Sequence, residues 1–298
     1  MSDEQGSVTL RSGDFSAKVM REGAELRSFL HTPSGREFIW QADPEIWGSS
    51  APVLFPIVGK LKDDSYTWRG QSFAMSGHGV VRRREFQVAE LGEDYVMLQF
   101  DADSTSLAAF PFPFTLQVEF VLSEALLNVD YRVSNIGTEV MPFTLGSHPA
   151  FSLHPLARGH DDYDVEFSSR ECLDLYTLDG PVLRDSVKPA FINNSSVLSL
   201  RSDSFDRDAL IFKNIRSDAV TLVDRARGPQ VRVTTGGAPH LGIWAKPGGR
   251  YVCIEPWFGY ADHESTNGRL EDKPAMMRLD VGDVFQAGYQ IEVLAGQA

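Results

Sequence analysis

The sequence has few of the features that mark a membrane-spanning, secreted or disulfide-rich protein. Its apolar runs stay short of the ~18 residues that a membrane-spanning helix needs. The N-terminal segment MSDEQGSVTLRSGDF is polar and acidic, without the basic and apolar regions of a signal peptide. Only Cys172 and Cys253 carry thiols, which leaves buried thiols or a single bridge open but excludes a disulfide framework. We therefore expect a cytoplasmic protein.

Sequence signatures of nucleotide and metal binding are missing as well. The chain contains no G-x-G-x-x-G or G-x-x-x-x-G-K-[ST] loop and no G-x-S-x-G elbow. The histidines at positions 78, 148, 154, 240 and 263 include no pair at zinc-helix or zinc-finger spacing. A net charge of −13 argues against nucleic acid or an anionic membrane as partner, because both bind basic surfaces. A small neutral ligand stays open.

Alternation of apolar and polar residues with a period of two dominates the chain. Residues 114–122 and 127–133 alternate on either side of the turn Ser123-Glu124-Ala125, which predicts a hairpin of half-buried strands. Similar runs predict strands at 7–10, 17–20, 87–91, 95–100, 219–223, 230–234, 241–244, 251–255 and 289–294. Helical periodicity is scarce, and the clearest helix candidate is the short segment 43–47. The pattern predicts one all-β domain over residues 1–298, a large antiparallel sandwich or a barrel.

Four polar residues interrupt apolar or glycine-rich segments and are candidates for a functional site. His78 lies between glycines in SGHGVVR, and His148 follows an apolar run in GSHPAF. Asp208 opens the apolar segment ALIF, and Glu255 lies inside the aromatic segment YVCIEPWFGY. Each also has an ordinary structural explanation: a loop or turn histidine, an acidic cap, or a carboxylate paired with arginine.

Glu255 has the most unusual surroundings. In a regular strand Cys253, Glu255 and Trp257 share one face, and we expect Pro256 to end the strand pairing. Carboxylates accept hydrogen bonds from sugar hydroxyls, and aromatic rings pack against the C–H groups of a sugar, so this segment suits a sugar pocket. Glycosidases usually need two carboxylates, and Glu255 with Asp208 would also meet that requirement.

Together these clusters resemble the aldose 1-epimerase (galactose mutarotase-like) family, in particular its bacterial branch of mutarotase homologues. The matching segments occur in the expected order and cover most of the chain: LFPIVGKLKDDSY, HGVVR, GSHPAF, DALIFKN, LGIWAKP and CIEPWFG. The resemblance implies the large β-sandwich called the galactose mutarotase-like supersandwich, with few short helices. It also implies interconversion of the α and β anomers of an aldose without a metal or organic cofactor.

The resemblance assigns roles position by position. Glu255 matches the catalytic base, and His148 matches the general acid at the ring oxygen of the sugar. His78 matches the second pocket histidine, which helps hold the ring oxygen or a neighbouring hydroxyl. Asp208 matches, less closely, an acidic residue that binds sugar hydroxyls.

Further residues are expected to contact the sugar. Trp257 and Trp244 are expected to line the site, and Arg82 matches an arginine common in this branch. Lys60 stands where the family usually has arginine, and lysine keeps the charge but loses the planar fork that binds two oxygens. The affinity for sugar, or the preferred sugar, is therefore expected to differ from that of family members with arginine at this position.

The reaction sets the expected geometry and charges. Opening the sugar ring requires removal of the C1 hydroxyl proton and delivery of a proton to the ring oxygen. Ionised Glu255 and protonated His148 would perform these transfers, with a nearby carboxylate helping to keep the histidine charged. We expect the two side chains to lie on opposite sides of one sugar ring, no more than ~12 Å apart.

Two other functions stay open. A hexose-6-phosphate 1-epimerase would use the same acid–base pair with a cationic subsite, for which Lys60 and Arg82 to Arg84 are candidates. A non-catalytic sugar-binding protein on the same scaffold would bind sugar without exchanging anomers. The expected partner is a small sugar, with no nucleic acid and no membrane, and the chain is expected to be a monomer or homodimer.

Overall fold

A computed structural model of the protein describes residues 6–295, and most of these residues lie in β-strands. The first five residues of the acidic N-terminal segment fall outside the described part. An N-terminal antiparallel sheet has four strands in sequential order: β1 Ser7–Ser12, β2 Phe15–Met20, β3 Glu25–His31 and β4 Arg36–Glu37.

The largest sheet contains fifteen strands and holds most of the remaining chain. Its earlier members are β5 Val53–Leu54, β8 Gln87–Leu91, β9 Tyr95–Asp101, β10 Phe114–Ser123, β11 Leu126–Asn135, β13 Leu145–Ser147 and β14 Ala150–Ser152. Its later members are β15 Tyr163–Asp179, β16 Val182–Ser199, β17 Leu210–Lys213, β18 Ala219–Asp224, β19 Gly228–Thr234, β20 His240–Trp244, β21 Tyr251–Phe258 and β23 Val284–Val293. Two small pairs complete the fold: β6 Ser65–Trp68 with β7 Gln71–Ala74, and β12 Met141–Phe143 with β22 Met277–Leu279.

Helices are few and short, as the sequence predicts. They comprise α1 Ser104–Ala109 and the 3-10 turns Lys62–Asp64, His160–Asp162 and Leu270–Asp272. The predicted helix at 43–47 is wrong: the backbone N–H of Trp47 donates to the carbonyl of Asp43 at 2.7 Å, but the turn does not continue. Among the described residues, no helix is long and apolar enough to cross a membrane.

The hairpin predicted from period-two alternation is confirmed. Strands β10 and β11 pair antiparallel with Leu116 opposite Val133, and both side chains are fully buried. Side chains on one face of this hairpin enter the large apolar core, whereas most of those on the other face are partly exposed. The all-β sandwich predicted for this chain is therefore confirmed.

Strands β15 and β16 are the longest in the fold and were not predicted. Strand β16 is exposed along most of its length, at polar and apolar residues alike, and its pairing with β15 contains several register shifts. Irregular pairing and solvent exposure remove the simple alternation on which sequence prediction of strands depends. Cys172 in β15 is an exposed free thiol and Cys253 in β21 a buried one, so the two cysteines form no bridge.

The pairing of β21 continues past Pro256, contrary to expectation. Pro256 pairs with Leu241, and the strand extends to Phe258. The N–H of Ile254 donates to the carbonyl of Pro149, so the backbone of Pro256, two residues further on, faces the same side. The neighbouring strand is interrupted there between β13 and β14, and the missing N–H of proline therefore costs no ladder bond.

His240 gives the fold a pH dependence that can be tested. Its side chain is 6% exposed, and burial, reinforced by the charge of Lys213, lowers its pKa to about 4. Below about pH 6.5 the unfolded chain therefore binds a proton at this residue, whereas the folded chain does not do so until about pH 4. The free energy of unfolding therefore falls as pH falls. From about pH 7.5 to about pH 5, we expect this residue to remove about 2 kcal/mol of stability. Denaturant unfolding at both pH values measures the loss, and a His240→Asn variant with an unchanged pH dependence would contradict the assignment.

Candidate active site

One cavity of about 480 Å³ brings the predicted site residues together. This volume is in the range of small-molecule sites. The cavity is lined by all the residues singled out from the sequence: Lys60, His78, Arg82, His148, Asp208, Trp244, Glu255 and Trp257. The segments that carry them are far apart in the chain and meet around the centre of strand β21.

Strand β21 presents Glu255 and Trp257 to the cavity. Glu255 lies opposite Gly242 of β20, and it is only 1% exposed. A Cβ atom on Gly242 would come within 2.5 Å of the indole of Trp257, and one on Gly146 of β13 within 2.8 Å. Glycine on both neighbouring strands therefore gives the indole room to lie across the sheet beside Glu255.

Replacing Gly242 with alanine is expected to push the indole of Trp257 out of position. Because the ring has sheet on both sides, we expect a loss of about 1–3 kcal/mol of stability and weaker sugar binding. Denaturant unfolding and tryptophan fluorescence measure both effects. A Cβ atom on Gly159 would meet nothing within 4 Å, so Gly159→Ala is the matched control. Equal behaviour of the two variants would contradict this account.

His148 lies in the short connection between β13 and β14 and is 8% exposed. Its ring packs against Trp47 at 4.9 Å between centroids, and against Trp244 at 5.5 Å. The ring of His78 lies 5.6 Å away on another side. These neighbours restrict the imidazole to one orientation beside Glu255.

Glu255 and His148 meet side by side, not across the width of a sugar ring. Oε2 of Glu255 lies 3.3 Å from Nδ1 of His148, well inside the expected reach. The expectation that they take opposite sides of a ring does not hold, because no ring fits between these two atoms. The reaction does not require it, since the C1 hydroxyl oxygen and the ring oxygen are bonded to the same carbon.

The charge states of this pair differ from the expected ones. Burial, together with the charges of His78 and Arg82, lowers the pKa of His148 well below its usual range. Burial also raises the pKa of Glu255 well above its usual range. The carboxylate expected beside His148 is present, but desolvation disfavours both charges and favours the neutral pair in this cavity.

His78 is held as a neutral hydrogen-bond donor. Its backbone is in the left-handed region at φ 66°, and its N–H donates to the carbonyl of Gly59 at 2.7 Å. The N–H of Gly59 in turn donates to Nδ1 of the imidazole at 3.3 Å. Burial and the nearby cations lower the pKa of His78 to about 3. The proton of the neutral ring is therefore on Nε2.

The charged residues of the site lie nearer the solvent. Lys60 and Asp208 are exposed, and Asp208 adopts a left-handed backbone at φ 74°. Arg82 is half-buried, and its guanidinium donates to Oγ of Ser49 at 3.3 Å. These side chains can meet the outer hydroxyls of a ligand whose C1 end lies against Glu255.

Two of the arginines considered for a phosphate subsite point elsewhere. Arg83 pairs with Glu22 at 3.3 Å, and Arg84 pairs with Asp103. Neither lines the cavity, which leaves Lys60 and Arg82 as the cations facing it among the described residues.

Trp47 is a member of the site that sequence reasoning missed. It lines the cavity and packs on His148, and its ring also stacks on that of Tyr251 at 5.5 Å. The only signal in the sequence was a tryptophan next to the turn-forming residues Gly48-Ser49-Ser50. The helix predicted over residues 43–47 instead places Trp47 at its last position.

Three buried polar atoms at this cavity have no hydrogen-bond partner among residues 6–295. They are Nδ1 of His148, Oε2 of Glu255 and Nε1 of Trp257, the first two in contact without hydrogen-bond geometry. Leaving buried polar groups unsatisfied costs free energy, so such groups concentrate where a ligand satisfies them. The cavity is therefore suited to a small molecule rich in hydroxyl groups.

A β-sandwich with a carboxyl–imidazole pair and tryptophans in a small central cavity is the architecture of a mutarotase-type protein. The chain belongs to the aldose 1-epimerase family, whose family model matches residues 6–290. The resemblance inferred from six sequence motifs is thereby confirmed.

Named relatives cover nearly the whole chain. The protein LacX of Lactococcus lactis subsp. lactis is 30% identical over 299 residues, which are 97% of this chain and 99% of that protein. The solved structure of a galactose mutarotase related enzyme from Lactobacillus acidophilus is 33% identical, covers 97% of both chains and gives a TM-score of 0.91. A galactose mutarotase-like protein from Lactobacillus casei is 28% identical with a TM-score of 0.90, covering 97% of this chain and all (100%) of that one.

Proposed function

We propose that the protein is an aldose 1-epimerase that interconverts the α and β anomers of a free hexose. The observation that carries the proposal is the set of unpartnered buried atoms of His148, Glu255 and Trp257 at one cavity. Membership of the aldose 1-epimerase family supports the reaction type.

The chemistry requires two proton transfers at oxygens bonded to C1. Glu255 takes the proton of the C1 hydroxyl, and His148 delivers a proton to the ring oxygen, which opens the hemiacetal. The C1–C2 bond of the open aldehyde then rotates, and closure by the reverse transfers gives the other anomer. Each positioned transfer is typically worth ~10²–10⁴ in rate.

Sugar binding favours the charged forms of Glu255 and His148, which burial alone disfavours. A C1 hydroxyl that donates to the carboxylate favours its ionised form, and a ring oxygen that accepts from the imidazolium favours the protonated histidine. The charge of Arg82 lowers the pKa of Glu255, as the hydroxyl does, but it also lowers the pKa of His148, so the imidazolium depends on its hydrogen bond to the sugar. The working charge state of the pair is therefore assembled with the substrate bound.

The remaining residues of the cavity bind the sugar and orient it. Nε2 of His78 is a donor for the ring oxygen or a neighbouring hydroxyl. Trp47, Trp244 and Trp257 offer apolar faces to the sugar ring, and the charges of Lys60 and Asp208 bind the outer hydroxyls. Lysine in place of the usual arginine binds one oxygen at a time, so we expect modest sugar affinity.

Anomer exchange on pure α-D-glucose and α-D-galactose, followed by optical rotation, tests the proposal. Acceleration of exchange on either free hexose is expected. Acceleration only on hexose 6-phosphates would replace the proposal by a phosphate-specific epimerase. Sugar binding seen by tryptophan fluorescence without acceleration on any of these substrates would identify a sugar-binding protein instead.

A further inference from the structure

The cavity also brings together a cluster of metal-ligand atoms that anomer exchange does not use. A ring nitrogen of His148, Sγ of Cys253 and a carboxylate oxygen of Glu255 all lie within 4.8 Å of one another, and all three residues are buried. Cys253 takes no part in the proposed mechanism. Its side chain is fully buried on the same face of β21 as Glu255.

The strand register explains why these donors meet. Cys253 pairs with Ala150 of β14 on one side and with Trp244 of β20 on the other. His148 lies two residues before Ala150, in the connection that bends over β21, so its ring reaches the face that carries Cys253 and Glu255. The three donors are therefore held by neighbouring backbone around β21, the third strand from the β5 end of the largest sheet.

A second observation points to a ligand at the same place. Nδ1 of His148 and Oε2 of Glu255 have no hydrogen-bond partner in the described part of the chain, although the residues are only 8% and 1% exposed. Nitrogen, thiolate and carboxylate together form a donor set that suits Zn²⁺ and similar borderline metals, whereas Mg²⁺ and Ca²⁺ prefer oxygen alone.

We propose that His148, Cys253 and Glu255 form an inhibitory site for Zn²⁺ or a chemically similar divalent transition metal. Zinc–donor bonds of ~2.0–2.3 Å place the donors of a tetrahedral site about 3.3–3.6 Å apart. The His148–Glu255 distance of 3.3 Å already fits this requirement. Cys253 must move by about an ångström, a shift within reach of a side-chain rotation.

The bound metal would stop anomer exchange by occupying the two groups that transfer protons. On binding, the Cys253 thiol and the neutral Glu255 carboxyl each lose a proton to solvent, and the metal bonds to the thiolate, the imidazole nitrogen and the carboxylate oxygen. The fourth position faces the cavity, which His148 and Glu255 both line. The inhibition rests on the proposed function, whereas metal binding does not.

Co²⁺ titration of the full-length protein tests metal binding directly, because a cobalt–thiolate bond has a charge-transfer absorption band. We expect a band that Zn²⁺ abolishes and that Mg²⁺ leaves unchanged. Cys253→Ser and Cys253→Ala should lack the band and bind Zn²⁺ roughly a hundredfold more weakly. Cys172 is the exposed second cysteine, so Cys172→Ser is the matched control and should keep the band.

Anomer-exchange assays with added Zn²⁺ complete the test. Zn²⁺ should inhibit wild type and Cys172→Ser, whereas the Cys253 variants should remain active and insensitive. Absence of the band from wild type, or its survival in both Cys253 variants, would overturn the proposed site. If no anomer exchange occurs at all, the proposed function fails, while the Co²⁺ band still decides whether the metal site exists.

Discussion

Replacing Glu255 with glutamine is expected to reduce the rate of anomer exchange by roughly 10²–10⁴-fold, because the amide cannot take the C1 hydroxyl proton. Glutamine keeps the shape of the side chain, so the cavity should keep its volume and its contacts with the sugar ring. We therefore expect the loss in kcat, with KM changed much less. Optical rotation measured over a range of sugar concentrations separates the two parameters.

A stability measurement and a control variant show whether the loss of rate comes from the missing carboxylate of Glu255. Glu255 is 1% exposed, and a neutral amide in such a position avoids the cost of either burying a carboxylate or protonating it on folding. Glu255→Gln should therefore unfold at a temperature equal to or above that of wild type. Glu22 is an exposed carboxylate paired with Arg83 outside the cavity, so Glu22→Gln should leave the rate unchanged. A fully active Glu255→Gln enzyme would remove Glu255 from the role of base.

Most residues that line this cavity could be singled out from the sequence, because they lie in short motifs with strong local constraints. His78 needs a left-handed backbone beside glycine, and His148 precedes a proline where a strand breaks. Glu255 stands out as a carboxylate within an aromatic strand. Local signals of this kind can be detected in a single sequence, and six such motifs in the expected order indicate the family.

Features that depend on distant contacts could not be predicted in the same way. Trp47 belongs to the site only because its turn is folded against His148, about a hundred residues away in sequence. The side-by-side contact of Glu255 with His148 and the neutral charge state that burial favours follow from three-dimensional packing. The residue pattern around Glu255 or around His148 does not encode their contact or their charge state.

The same reasoning explains the errors in strand prediction. Strand β16 has a long exposed edge with irregular pairing, so its side chains carry no burial pattern to detect. Pro256 is tolerated within β21 because the neighbouring strand is interrupted where its backbone faces. Both cases depend on which strand lies next to the one in question, and the sequence of a single strand does not specify its neighbour.

Replacing His148 with asparagine is expected to lower the rate of anomer exchange by roughly 10²–10⁴-fold, because no charged acid then protonates the ring oxygen. Asparagine leaves part of the imidazole space between Trp47 and Trp244 empty, so a small loss of stability is also expected. Trp47→Phe keeps an aromatic ring on that side and is the control for packing. It should retain far more activity than His148→Asn.

Combining the two main variants tests whether Glu255 and His148 act as one unit. In the proposed reaction every turnover needs both proton transfers, and Oε2 of Glu255 lies 3.3 Å from Nδ1 of His148. Once either group is lost, the other has no complete reaction to accelerate. Glu255→Gln with His148→Asn should therefore be about as slow as the slower single variant. A double variant whose loss equals the product of the single losses would show that the two residues contribute independently, which the contact between them argues against.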